Sequence, residues 1–366
     1  MYDAAGRLSE QIDPAGNATR LTRDRLGRVT RVDEPEGATT TCEWDVWDRP
    51  VTVRHPDGET VTTTYSPAGR AVSATSSEGR GWTATYDAAG RLATVTDAVG
   101  ATTRYAWDVS DRLAETTSAA GRVARWAYDH VGRVTETTVA GRTHRATYDH
   151  AGRLTSETDP SGATRRYAYD LRGKLVSATD ALGHTVRLRY DRRGNLSTVV
   201  DPFGGVTTTE YDGMRRPVAC TDQLGRTTRI RRDAAGRVVA REMPTGDLIE
   251  WRRDARGLAT DVRVNGRDVV VFDHDPAGRP VLVHEPGRNR TLTLGWTRGG
   301  RLASLDVDGA TMRWERDTDG LVVARHDPAG RRTTYARDRA GRLVATASDR
   351  WGAVELERDL DGHLVA

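Results

Sequence analysis

Two cysteines in 366 residues, Cys42 and Cys220, are too few and too widely separated for a disulfide framework or for the paired spacing of a zinc site. Lysine is nearly missing too: Lys174 is the only one, and arginine supplies every other basic charge. No stretch approaches the roughly 18 apolar residues of a membrane span, and Met1 to Gly6 carry no basic-then-apolar leader. Blocks of like charge are absent. Fifty-five basic residues face fifty-two acidic ones, a net charge of +3, so the isoelectric point near 9.0 is poor evidence for nucleic acid. Helical periodicity is lacking throughout. With 37% hydrophobic residues and a mean hydropathy of −0.63, the chain is lean for a thick core, yet its Trp and Tyr content is too high for disorder. A thin sheet with modest apolar cover fits that balance.

What is present is a repeat. The segment Tyr86-Asp87-Ala88-Ala89-Gly90-Arg91-Leu92 recurs with its glycine position at 6, 27, 48, 69, 90, 111, 132, 152, 173, 194, 215, 236, 257, 278, 300, 320, 341 and 362, almost always 21 residues apart. Asp stands three places earlier in every repeat except at Ser66 and Thr297. Asp-x-x-Gly is a turn with a mechanism. The carboxylate accepts from the turn amides, and glycine takes the positive φ that a Cβ resists. A three-residue hairpin loop ending in an αL residue has this form; it sets Asp87 opposite Arg91 and Tyr86 opposite Leu92. Asp48 and Asp111 replace the glycine with a residue that tolerates αL. Arg215 does not fit, and the nearby Gly213 is expected to let that turn shift.

A second glycine precedes the next first one by about eleven residues, as at Gly16, Gly37, Gly100, Gly162 and Gly225. Each repeat therefore reads as two strands of about six residues joined by tight turns. The predicted fold is all-β: residues 1–366 form a single array of about eighteen antiparallel β-hairpin repeats, a continuous curved or spiralling sheet strip cut at both ends. The rival is a β-propeller with 42-residue blades of four strands. Strands such as Ala101 to Trp107 alternate with period two.

Comparison among the repeats adds one rule. Where Arg precedes the turn Asp (Arg23, Arg232, Arg253, Arg316), the residue two earlier is large: Leu21, Ile230, Trp251, Trp314. Where that earlier residue is small (Cys42, Thr63, Ala84, Ala146), the later one is Trp44, Tyr65, Tyr86 or Tyr148. Each repeat thus keeps a bulky group on one face. A mostly buried aromatic is worth on the order of 4 kcal/mol as an upper bound, against about 0.2–1 kcal/mol for an exposed cross-strand Asp and Arg pair. On these magnitudes the aromatic stripe holds the array, and the ion pair tunes register.

The Tyr-Asp-x-x-Gly-Arg-Leu unit, seen closely in Tyr128-Asp129-His130-Val131-Gly132-Arg133-Val134 and Tyr148-Asp149-His150-Ala151-Gly152-Arg153-Leu154, resembles the YD repeat of the rearrangement hotspot (Rhs) family. That repeat also occurs in insecticidal toxin-complex shell proteins, bacterial wall-associated proteins and teneurins. The resemblance implies a β-strip that spirals into a hollow shell, part of a polymorphic toxin, and encloses a C-terminal toxin cargo absent from this chain. The partners it implies are that cargo or the remaining shell sequence, and secretion-system components. It also implies a secreted or cell-surface location. The family's core region with its autocleaving aspartate motif has no counterpart before the final repeat at Asp359 to Leu364. The alternative function is a cell-surface protein whose rows of Trp, Tyr and Arg bind cell-wall carbohydrate.

No enzyme is expected, and no catalytic, cofactor-binding or metal residue is assigned. His130 and His150 fall at a loop position that Ala, Arg and Leu fill elsewhere, which marks them as solvated turn residues. Calcium binding would need a different period. No Ser, His and Asp set stands out among dozens of equivalent turns, and acids balance the arginines at the same repeat positions, against nucleic acid. Between residues 258 and 300 the pattern weakens, with Leu258 in place of Arg, His274 of Tyr and Thr297 of Asp. Both a bend or seam in the strip and drift without consequence account for this.

Overall fold

The computed structural model describes residues 1–14 and 16–365. Among them lie thirty-four β-strands, from Glu10–Ile12 to Gly352–Glu355, and two one-turn 3-10 segments, Pro35–Gly37 and Pro286–Arg288. Each strand pairs antiparallel with the strand before it and the strand after it in the chain, so the sheet is one unbroken meander. No radial blades interrupt it, and the propeller rival is set aside.

The turns form where the glycines recur. Every glycine with positive φ belongs to one of the two recurrent sites, and Gly287 alone of those sites lacks it. At the first site, here the hairpin tip, Tyr86 faces Leu92 and the register shifts between Thr85 and Tyr86. Asp87 N donates to Arg91 O at 2.8 Å and Gly90 N to Asp87 O at 2.8 Å, the bulged three-residue loop that the spacing required. The second site is here called the bend.

The irregular spacings have a local cause at the bends. Ala140-Gly141 and Asp308-Gly309 make two-residue hairpin loops with both residues at positive φ, closing Val139 onto Arg142 and Val307 onto Ala310. Each saves one residue and gives a 20-residue interval. Asn265-Gly266 does the same, but an extra residue at Val269 restores the count. The long interval after Gly278 comes from the wider loop between Glu285 and Arg290, where Asn289 takes the left-handed conformation at φ 46°.

Burial is thin. Ala38, Ala84, Ala219, Ala240 and Ala324 are the buried apolar residues, and no large side chain is fully buried among the described residues. The Trp and Tyr of one face are half-buried against their own neighbours, while the other face carries Arg, Thr and Glu. The chain exposes 22337 Å², whereas a compact 40.1 kDa protein exposes roughly 14,000 Å². A single layer with both faces open accounts for the excess.

One expectation fails. The turn at Arg215 does not shift: Arg215 N donates to Asp212 O at 3.0 Å like any tip glycine, and Arg215 itself sits at φ 63°. The neighbouring hairpins hold the loop shape and the arginine absorbs the strain, about 1–2 kcal/mol for an L-residue in that region. Arg215→Gly is therefore expected to raise stability by about 0.5–1 kcal/mol after glycine's unfolded-state entropy is subtracted, read as a higher urea midpoint. An unchanged or lower midpoint would contradict the strain.

Candidate functional site at the hairpin tips and the coil seam

All tips but those at Ser66 and Thr297, where a hydroxyl stands in, are organised by one carboxylate. Asp129 Oδ1 accepts from Val131 N at 3.0 Å and Arg133 N at 2.9 Å, and Oδ2 accepts from Arg133 Nε at 2.6 Å. The arginine then reaches forward. Arg133 Nη1 donates to the carbonyl of Asp149 in the next tip at 2.9 Å, and its guanidinium lies over the Tyr148 ring, 4.9 Å from the centroid. Tyr148 reaches back, its hydroxyl donating to Val134 O at 2.9 Å. The same circuit joins Arg112 to Tyr128 and Asp129, and Arg153 to Tyr169 and Asp170.

This revises the weight given to the ion pair. It is half-buried, multiply bonded and shared between repeats, so it is a staple rather than a register adjustment. At Asp87 the Arg91 guanidinium and amide hold the carboxyl below the usual carboxylate range.

The exchange of Tyr for Arg beside the turn Asp also has a geometric reason. Tyr128 donates its hydroxyl to Leu113 O, fifteen residues back, and Trp107 and Trp296 use their indole N–H on Leu92 O and Pro280 O. Where Arg stands there, Arg316 donates to Leu302 O at 3.1 Å and to Gly320 O at 3.0 Å, and Arg253 to Val238 O at 3.4 Å and Gly257 O at 3.1 Å. Both side chains satisfy the same carbonyl. Arginine leaves less apolar cover, which the large residue two places earlier supplies. In the weakened stretch the circuit survives by substitution: Arg256 takes over from Leu258, bonding Asp254 at 2.9 Å and Asp275 O at 2.9 Å.

The strip also returns over its own beginning. Tips of the later repeats dock on bends of the earlier ones, between residues 237 to 259 apart in sequence. Asp319 enters the bend at Ser76 to Arg80: it accepts from the Ser76 hydroxyl at 2.5 Å and Arg80 Nη1 at 2.6 Å, while Arg80 Nη2 bonds Asp317 at 2.6 Å. Asp361 repeats this at Ser118 to Arg122, accepting from the Ser118 hydroxyl at 2.7 Å and Ala120 N at 2.8 Å, with Arg122 on Asp359 at 2.5 Å. At a third contact the polarity reverses. Asp57 in the bend accepts from Gly299 N at 2.8 Å and Arg301 Nη1 at 3.1 Å, and Arg301 Nη2 bonds Glu59 at 3.1 Å. A Cβ on Gly299 would meet Asp57 Oδ2 at 2.2 Å, so only glycine admits that carboxylate.

These three mated pairs thus each set a carboxylate immediately before one glycine against an arginine immediately after the other. Thr297, which broke the tip pattern, faces Asp57 at 3.1 Å; an Asp there would set two carboxylates together. The weakened stretch therefore lies on the seam, where Asn17 Nδ2 also bonds Pro276 O at 2.8 Å, although the seam continues through regular repeats to Gly362. Sequence reasoning missed these residues. Their signal was Ser-x-x-Gly-Arg at two bends whose neighbours mostly begin with Asp, answered by Asp-x-Asp-Gly 241 residues later.

His130 and His150 stand exposed at tips. Cys42 and Cys220 are both free and half-buried, and burial pushes the Cys42 thiol up. Among the described residues, no three His, Cys, Asp or Glu side chains gather to hold a metal, and no helix is long and apolar enough to cross a membrane.

The seam carboxylates generate a pH prediction. Burial pushes Asp319 up, but Ser76 and Arg80 outweigh it and hold the carboxyl below its ordinary value; the Ala120 amide and Ser118 do the same for Asp361. A depressed carboxylate stabilises the fold above its unfolded pKa, about 3.9, and that stabilisation is lost as pH falls through the lower folded value. Asp319→Asn is expected to cost about 1–3 kcal/mol at pH 7, because the charged bonds to Ser76 and Arg80 are weakened while Arg80 keeps Asp317. Thermal midpoints of wild type and variant should converge as the pH drops below about 4. Parallel curves over that range would exclude the seam as the origin.

The family models that match are Teneurin YD-shell, over residues 123–281, and RHS Repeat, over residues 2–40, 86–123 and 316–350. No protein of curated function matches. Among solved structures, the chain is similar to TcdB2–TccC3, at a TM-score of 0.78 and 14% identity over 91% of this chain and 22% of that one. It is similar also to TcdB2–TccC3 without its hypervariable C-terminal region, at 0.78 and 15% over 100% and 26%. A third is the Tc holotoxin pore of Photorhabdus luminescens, at 0.76 and 14% over 100% and 26%. The chain spans about a quarter of the length of these structures. Repeat motif, register and these likenesses agree: the chain belongs to the Rhs/YD-repeat family, with the YD-shell fold.

Proposed function

We propose that this chain is a wall segment of a hollow shell that sequesters a toxin cargo before delivery outside the cell that makes it. The observation that carries the reading is a large strip only one layer thick that stacks on itself edge to edge, leaving both broad faces open. A strip built for its own stability would fold a second layer over its half-buried aromatic face. Here the chain invests its polar contacts in tips and seam, which is what a continuous wall requires. Likeness to TcdB2–TccC3 and to the Tc holotoxin supports a shell that works within a toxin complex.

The wall is proposed as a single array over residues 1–366, non-catalytic, with cargo or further shell sequence as its partner. The test is protease protection of the polypeptide encoded with this chain, produced as one native product. Cargo resistant to protease while the shell is intact, and digested once the shell is opened with denaturant, is the expected result. Cargo digested equally fast with and without the shell would overturn encapsulation.

A further inference from the structure

The balance of acid and base that holds over the whole chain fails at one place on the polar face. Several arginines of that face meet carboxylates: Arg20 bonds Glu10 at 2.8 Å, Arg125 bonds Glu115 at 2.8 Å, Arg145 bonds Glu136 at 3.0 Å and Arg332 bonds Glu315 at 2.8 Å. Along the strands from Leu154–Thr158 to Leu196–Val200 the same face holds Arg166, Arg187 and Arg189 and no carboxylate. Glu157 lies on the aromatic face, where the Tyr167 hydroxyl donates to it at 2.5 Å. Opposite Arg166 stand Ser156 and Thr179, opposite Arg187 stand Ser177 and Val200, and opposite Arg189 stands Thr198. All three arginines are exposed, and among the described residues their guanidinium groups have no hydrogen-bond or ion-pair partner.

The sheet sets their spacing. Arg187 and Arg189 are two residues apart on one strand, roughly 6.6 Å, and Arg166 stands two strands away, roughly 9.5 Å off. An extended chain carries its own alternate side chains at the same two-residue interval. Carboxylates at alternate positions of such a chain meet Arg187 and Arg189 together, while the Ser177 and Thr198 hydroxyls opposite supply neutral hydrogen bonds. We infer that the polar face at Arg166, Arg187 and Arg189 docks an extended acidic segment of a partner polypeptide, with Asp or Glu at every second residue. Single-stranded nucleic acid fits this face less well. The rings of these strands, Tyr167, Tyr169 and Tyr190, register with Ala178, Leu175 and Leu196 on the opposite face, so bases have no platform to stack on beside the arginines. The inference is independent of what the shell encloses.

Fluorescence anisotropy on the native chain tests it, with a short labelled peptide of alternating Glu and Ser as the probe. Saturable binding that weakens as salt is raised is expected. R166Q/R187Q/R189Q should raise the apparent dissociation constant about tenfold, the combined loss of three exposed ion pairs. R125Q/R145Q/R332Q, which removes the same charge from arginines already paired, should change it by less than about twofold. Because Arg166, Arg187 and Arg189 bond nothing within the chain, the first variant keeps the fold. No saturation by about 1 mM peptide would overturn the inference, and so would equal losses in the two variants, which would reduce the effect to net charge. Tighter binding of a single-stranded oligonucleotide of the same charge would overturn it too, making the face a nucleic-acid surface.

Discussion

The structure depends on a carboxylate at the first position of a hairpin tip. Bonded to two loop amides and to the arginine four residues on, it converts a loop that would fray into a rigid platform. The platform aims the guanidinium at the ring and carbonyl of the following repeat, so local turn chemistry becomes the long-range connector. A sheet this thin lacks the burial that stabilises ordinary domains, and Ala324 is as close to a core as it comes. Stability is distributed instead, each repeat held by its neighbours in the nearest-neighbour manner of repeat proteins. The ring over each arginine matters in that circuit because it shields the ion pair from water as well as adding apolar cover.

The same device is reused where the strip meets itself. A second carboxylate placed at the residue before the tip glycine, as at Asp319 and Asp361, leaves its own loop to Asp317 and Asp359 and fits another coil's bend. A bend arginine that elsewhere pairs with the carboxylate of its own bend, as Arg226 does with Asp222, turns at Arg80 and Arg122 to that carboxylate instead. Seam and repeat are thus two uses of one chemistry, and a change of one residue converts between them. This makes the winding of the strip a property encoded turn by turn, with reversed polarity at Asp57 and Arg301 as an alternative spelling of the same contact.

Much of this was legible in the sequence because turns are local. Glycine at positive φ and aspartate three places before it declare hairpins without any tertiary context, and period-two strands of Thr, Val and Tyr follow. The Tyr and Arg exchange was visible as a pattern, but its cause was not: which carbonyl a side chain reaches depends on the fifteen-residue offset between adjacent repeats. The staple was undervalued because spacing alone says nothing about how far Arg133 is shielded by Tyr148. The seam lay deeper, since pairing Ser76 with Asp319 requires the curvature of the strip, a sum of small strand twists that no single repeat reveals. Arg215 was misjudged for a related reason: propensity argued for a shifted turn, and the hairpins on either side overrode it.

The most direct test of the account is residue-resolved hydrogen exchange on the native chain. If the tip carboxylates organise the fold, the loop amides they accept from, such as Arg91, Arg133 and Arg153, will exchange as slowly as mid-strand amides, giving protection maxima at every tip along the array. Protection confined to the strand centres, with tips exchanging at the rate of free loops, would contradict it.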